Sequence, residues 1–213
     1  MKHLIIIGAR GFGREAYTSF FYSFAHKSGT IDVKGFLDDK LDAFDNLVGE
    51  WPPVLGSVEN YIPQPDDVFF CAMGDAHWRK HYAEIIENRG GEFVSIIAKE
   101  AMPSPSAYIS PGCYIGPLTA ISSNVHIGKH TMIQAFSNIG HDVVIGDYAS
   151  LESYVFLGGG ASVGNQATLH TKSSVIPHKS IGDGAVVGFG SVVMRNVPNG
   201  AHVFGNPAVK VKY

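Results

Sequence analysis

Aliphatic residues recur at every sixth position of the C-terminal half: Ile109, Ile115, Ile121, Ile127, Ile133, Ile139, Ile145, Leu151, Leu157, Val163, Leu169, Val175, Ile181, Val187 and Val193. The next position is often glycine, as at Gly116, Gly140, Gly146 and Gly164, and the fourth is usually small or β-branched, as at Thr119, Val125, Ser137 and Ala149. A helix has a period near 3.6 and a strand a period of two, so neither yields this beat. Hexapeptide periodicity predicts a parallel β-helix, in which each unit buries its apolar edge only by stacking on its neighbours. If three hexads close one triangular coil, residues eighteen apart lie one above another and the fifteen hexads make five coils.

Residues 1–92 follow a different grammar. Their apolar patterns predict a strand over 3–8, a helix over 12–24, strands over 31–37 and 68–73, and a helix over 76–88. This is the βαβ alternation of a small parallel sheet. The expected architecture is therefore α/β plus all-β, with a Rossmann-like domain over 1–92 followed by a β-helix domain over 93–213. Pro103, Pro105 and Pro111 mark a boundary or a first imperfect coil, and the beat stops at Pro198, after which Asn199-Gly200 and Gly205-Asn206-Pro207 read as turns in a closing tail.

Composition narrows the partners. With a net charge of −3 and no segment rich in Lys or Arg, the chain offers no footprint for a nucleic-acid backbone. No apolar run approaches the roughly 18 residues of a membrane span, and no signal-peptide pattern follows Met1, so a cytoplasmic protein is expected. The two cysteines, Cys71 in an apolar strand and Cys113 at an inward β-helix position, read as buried thiols.

Three loops are expected at one edge of the N-terminal sheet. The turn Gly8-Ala9-Arg10-Gly11-Phe12-Gly13 resembles a dinucleotide fingerprint, but Arg10 stands where the central glycine would admit a pyrophosphate. It retains a helix N-terminus and a cation, both suited to an anion. Asp38 and Asp39 follow the second strand, where carboxylates can accept from ribose hydroxyls or a base N–H, and Gly74 ends the third. A tight turn at Gly8–Gly13 and a solvated acidic turn at Asp38–Asp39 are the structural alternatives. If the loops converge, they form a polar pocket for a nucleotide.

Of ten histidines, His126, His130, His141, His170 and His178 fall off both inward positions of the β-helix, so none is expected to be an interior side chain. Solvent exposure is the default reading for each. His141 departs from it because Asp142 follows, and a carboxylate can support a neutral imidazole acting as general base. One coil on lies Gly159, within Gly158-Gly159-Gly160, where an unobstructed backbone N–H could stabilise an oxyanion. Base and donor on adjacent coils suit acyl transfer.

The stretches Gly140-His141-Asp142-Val143-Val144-Ile145-Gly146-Asp147, Gly158-Gly159-Gly160, Ser180-Ile181-Gly182-Asp183-Gly184 and Gly205-Asn206-Pro207-Ala208 resemble the sialic acid O-acetyltransferase branch of the hexapeptide-repeat acyltransferases. So do Gly8-Ala9-Arg10-Gly11-Phe12-Gly13-Arg14-Glu15 and Gly35-Phe36-Leu37-Asp38-Asp39, and the branch includes nucleotide-amino-sugar N-acetyltransferases. The resemblance covers nearly the whole chain and implies a left-handed β-helix, acetyl-CoA as co-substrate without a metal, and a role in surface polysaccharide biosynthesis. It further implies His141 as the base supported by Asp142, and the Gly159 amide as the thioester-oxygen donor, with Gly158, Pro177 and His178 beside the acetyl-CoA. Gly8, Arg10, Gly11, Asp38, Asp39 and Gly74 are then expected around a nucleotide sugar. Many members of the branch carry a second histidine where this chain has Ser150, and Glu152-Ser153-Tyr154 replaces a following Ala-Pro-Gly, so Ser150 is expected near a different acceptor.

The expected activity is acetyl transfer from acetyl-CoA to a sugar, foremost the amino group of a nucleotide-linked deoxyamino sugar, through a ternary complex. A sialic acid hydroxyl is the alternative acceptor, and a non-catalytic sugar-binding scaffold the alternative class. A zinc site of three imidazoles would need a different histidine spacing. Because His141 should face outward with no long insertion to cover it, a homotrimer with donor sites between subunits is expected.

Overall fold

The computed structural model describes residues 1–211, and the chain divides into two compact units, Met1–Lys99 and a second that begins at Glu100. In the first, β1 (Lys2–Ile7), α1 (Gly11–Phe21), a short α2 (Phe24–Lys27), β2 (Ile31–Leu37), β3 (Asp67–Cys71), α3 (Ala76–Asn88) and β4 (Glu92–Phe93) form an all-parallel sheet of order β2-β1-β3-β4. Leu4, Ile5, Ile6 and Ile7 are all buried, as the central strand of a sheet covered on both faces must be. The chain leaves β1 to one side towards β2 and adds β3 on the other, so the sheet has a switch point between β1 and β3, the usual place for a ligand crevice.

The first helix is shorter than its apolar pattern suggests. It ends at Phe21, with Tyr22 as C-cap, and the Ser23 hydroxyl accepts from the His26 N–H to start the separate turn of α2. Local capping by serine overrides the continuing hydrophobic pattern.

The second unit is a left-handed parallel β-helix with three faces. Face one stacks Tyr108–Ile109, His126–Ile127, Val144–Ile145, Ser162–Val163 and Ser180–Ile181. Face two stacks Tyr114–Ile115, Met132–Ile133, Ser150–Leu151, Thr168–Leu169 and Val186–Val187. Face three runs from Met102–Pro103 through Ala120–Ile121, Asn138–Ile139, Phe156–Leu157 and Ser174–Val175 to Val192–Val193. The register pairs Ile109 with Ile127, Ile127 with Ile145, and Ile145 with Val163, so each aliphatic sits directly on the next.

The corners explain the rest of the hexad. From Ile109 to Val187, the third residue after each aliphatic adopts a left-handed conformation, including Asn124, His130, Asp142, Tyr148 and His178 with φ between 55° and 60°. Stacking holds these L-residues in a conformation normally left to glycine. The small position points inward and, where polar, bonds the coil above: Thr119 Oγ1 donates to the Gln134 carbonyl at 3.1 Å and Thr131 Oγ1 to that of Gly146 at 2.7 Å. Cys113 is buried in this column and donates to the Gly128 carbonyl.

Stacking continues where the beat ends. Val197 bridges to Ile181, and His202–Phe204 pairs in parallel with Val186–Val187, so the closing tail begins with a further coil shortened by two residues. Val209–Lys210 then turns back antiparallel onto it and closes the stack.

Candidate active site

At the corner between faces one and two, the N–H of the second residue after each aliphatic is capped from the coil above. Lys129 N–H donates to Asp147 Oδ1 at 2.8 Å, Asp147 N–H to Asn165 Oδ1 at 2.8 Å, and Asn165 N–H to Asp183 Oδ1 at 2.7 Å. At the corner between faces three and one the same column reads Ser123, His141, Gly159, Pro177. Glycine and proline have no side-chain acceptor, and the Gly159 N–H meets none among the described residues. It is a donor held ready in the wall of the β-helix.

The three glycines beside it serve three different neighbours. A Cβ on Gly158 would lie 2.6 Å from the Pro177 nitrogen, one on Gly159 2.5 Å from His141 Nε2, and one on Gly160 2.5 Å from His178 Nδ1. The two imidazoles thus lie against adjacent residues of one coil, and any side chain at 159 would push the His141 ring away. His141 Nδ1 is 2.7 Å from Asp142 Oδ2, while Asp142 Oδ1 accepts from Asn124 Nδ2 at 3.3 Å. The His141 contact, then the Asn124 amide, hold the Asp142 carboxyl below its usual range, so it is an anion at neutral pH. With Asp142 accepting from Nδ1–H, Nε2 carries the lone pair. That nitrogen lies nearest Gly159, and the His141 side chain is 63% exposed.

The first unit holds a cavity of about 760 Å³ at the switch point, lined by Gly8, Arg10, Asp38, Asp39 and Gly74 from the three expected loops. Gly11 is absent from the lining and instead opens α1. Asp38 also holds the structure together, since its two oxygens accept from the Ala9 and Lys40 N–H groups at 2.9 Å and tie the β1 and β2 loops to each other. Arg10 and Asp39 make no side-chain bond or ion pair among the described residues. Behind the Gly74 loop, the buried Arg79 guanidinium donates to the Met73 and Gly74 carbonyls at 2.7 and 3.0 Å and fixes the loop's path.

One expectation needs correction. His130 is 1% exposed, against the expectation that it stays outside: its ring is stacked on Tyr148 at 5.0 Å and 10° and fills the space left by Gly112. It occupies a corner rather than the aliphatic core, but rings and glycine along that corner cover it. Ser150 lies on face two, opposite the corner that carries His141, so one chain does not bring these two together. Two groups escaped the sequence reading. Glu152 accepts from His170 Nδ1 at 2.9 Å and from the Thr171 N–H and hydroxyl, a cross-coil pairing visible only once the register is fixed. Trp78, Tyr82 and Glu59 line the cavity from a helix and a loop that carried no motif.

Comparison with known proteins gives two family matches: the PglD N-terminal domain over residues 3–86, and the bacterial transferase hexapeptide repeat over 124–159. The chain thus joins a PglD N-terminal domain to bacterial transferase hexapeptide repeats. The perosamine N-acetyltransferase of Caulobacter crescentus, solved with CoA and GDP-perosamine, is 25% identical with a TM-score of 0.88, covering 100% of this chain and 98% of that one. WeeI from Acinetobacter baumannii AYE is 27% identical with a TM-score of 0.75, covering 99% and 100%. Among curated relatives, the putative acetyltransferase YvoF of Bacillus subtilis is 42% identical over 45 residues, 21% of this chain. The matched segments span only 20–26% of the length of the curated relatives. Among the described residues, no group of three or more His, Cys, Asp or Glu side chains is arranged to hold a metal, and no helix is long and apolar enough to cross a membrane.

Proposed function

We propose that the protein transfers the acetyl group of acetyl-CoA to the amino group of a nucleotide-linked deoxyamino sugar, in a ternary complex. The observation that carries this reading is the His141–Asp142 pair set against the uncapped Gly159 N–H. Acyl transfer to an amine needs a base for the nitrogen's proton and a donor for the oxygen that gains charge. As the acceptor nitrogen bonds to the acetyl carbon, His141 Nε2 takes its proton and Asp142 stabilises the imidazolium. The Gly159 N–H donates to the former carbonyl oxygen. Collapse breaks the C–S bond, and the proton passes to the departing sulfur, leaving an amide and the CoA thiol.

Gly158, Pro177 and His178 flank this corner on the acetyl-CoA side, while Arg10, Asp39 and Gly74 belong to the cavity suited to the nucleotide. The relative solved with CoA and GDP-perosamine supports both the donor and the amine acceptor. Neither cysteine is set up to carry the acetyl group: both are buried, and burial pushes the Cys71 thiol up to about 12. The exposed His141 has one wall, and a neighbouring β-helix in a homotrimer supplies the other.

Thiol release tests this reading. His141→Ala should lower kcat by roughly 10² to 10⁴ with acetyl-CoA affinity little changed, since the base acts on the acceptor. Near-normal turnover in that variant would remove His141 from the mechanism.

A further inference from the structure

The cavity of the first unit has a side that the expected loops do not supply. Trp78 stands in the first turn of α3, where the Asp75 carboxylate caps the helix by accepting from the His77 and Trp78 N–H groups at 2.9 and 3.0 Å. Its indole is 48% exposed, lines the cavity, and is backed by Tyr82 at 5.9 Å and 27° between rings. His77 and His81 meet the indole edge-on at 5.5 and 5.6 Å. An exposed indole braced on a helix beside a cavity is a preorganised surface for a planar ligand ring. The Asp39 and Glu59 side chains line the same cavity, and their carboxylates have no hydrogen-bond or ion-pair partner among the described residues; the Glu59 backbone carbonyl accepts from the Arg89 guanidinium at 2.8 Å. Burial raises the Tyr82 phenol above its ordinary range, and the Glu59, Asp39 and Asp38 carboxylates raise it further.

We propose that Trp78 is the stacking platform for the nucleotide base, and that Glu59 and Asp39, which line the same cavity, select guanine over uracil. This rests on the cavity being the nucleotide site, as argued above. Guanine presents adjacent N1–H and N2–H donors that one carboxylate can accept together. Uracil presents a single N–H between two carbonyl oxygens, which a carboxylate repels. Arg10 and the α1 N-terminus offer the diphosphate its cation and N–H groups.

Calorimetric titration of the intact protein with GDP and with UDP tests this without reference to turnover. GDP should bind at least tenfold more tightly, Trp78→Ala should weaken it by roughly 5- to 100-fold while Trp78→Phe retains most of the affinity, and Glu59→Gln should narrow the GDP-to-UDP ratio. Equal binding of the two nucleotides, or unchanged GDP binding in a folded Trp78→Ala protein, would overturn the proposal and leave the nucleotide site standing. Binding of neither nucleotide would overturn the site and the proposal together.

Discussion

Gly159 is where backbone, base and donor meet, and it shows what a single missing Cβ does. A methyl group there would fall 2.5 Å from His141 Nε2 while leaving the coil's own hydrogen bonds untouched. Gly159→Ala should therefore fold with nearly wild-type melting but lose turnover about as severely as His141→Ala, because the exposed imidazole is the part that yields. Parallel thermal melts and thiol-release assays check this, and a variant that loses stability but keeps its rate would contradict it. Glu152 makes a second residue-level case. Burial pushes its carboxyl up, yet hydrogen bonds from His170 and Thr171 lower it further, so its net shift is downward. A depressed carboxylate contributes stability that is complete above its unfolded value, near 4.3, and is lost as pH falls through the lower folded value. The melting gap between wild type and Glu152→Gln should be widest at neutral pH and close on acidification below about pH 4.3. A gap that is constant with pH would rule out the ionised pairing.

At the level of elements, the β-helix was legible because its signal is repeated. Each coil must present an aliphatic at the same angle, so one pattern of six fixes strands, faces and register together. From that register His141 and Gly159 could be set side by side. The shortened coil at Val197 to Val203 was not legible, since deleting two residues breaks the beat while the backbone bonds still form, as in Val186 N–H to the Ala201 carbonyl at 2.9 Å. His130 was misread because the hexad says which way a side chain leaves the coil but not what covers the corner. In the N-terminal unit the helices and strands were readable, and so were the three loops at the sheet edge. The roles within them were legible only in part: Asp38, expected as a ligand contact, lines the cavity and also accepts from two backbone N–H groups, whereas Trp78 and Glu59 enter the cavity from positions without a motif.

For the protein as a whole, the outward face of the His141 corner sets the expectation. A 63% exposed imidazole on a prism without long insertions cannot exclude water from a thioester by itself. In the proposed homotrimer, clefts between neighbouring β-helices would supply the missing wall, and activity should fall as the oligomer dissociates on dilution. Light scattering matched to rate measurements over the same concentrations tests this, and a fully active monomer would contradict it. The acceptor and the group it receives define the reaction. Mass analysis of the products formed from acetyl-CoA with a nucleotide-linked deoxyamino sugar, and separately with free sialic acid, decides it. One added acetyl group is expected on the amino sugar, formed in step with CoA thiol and suppressed in His141→Ala. Acetylation of sialic acid alone, or thiol release with no acetylated sugar, would refute the proposed reaction.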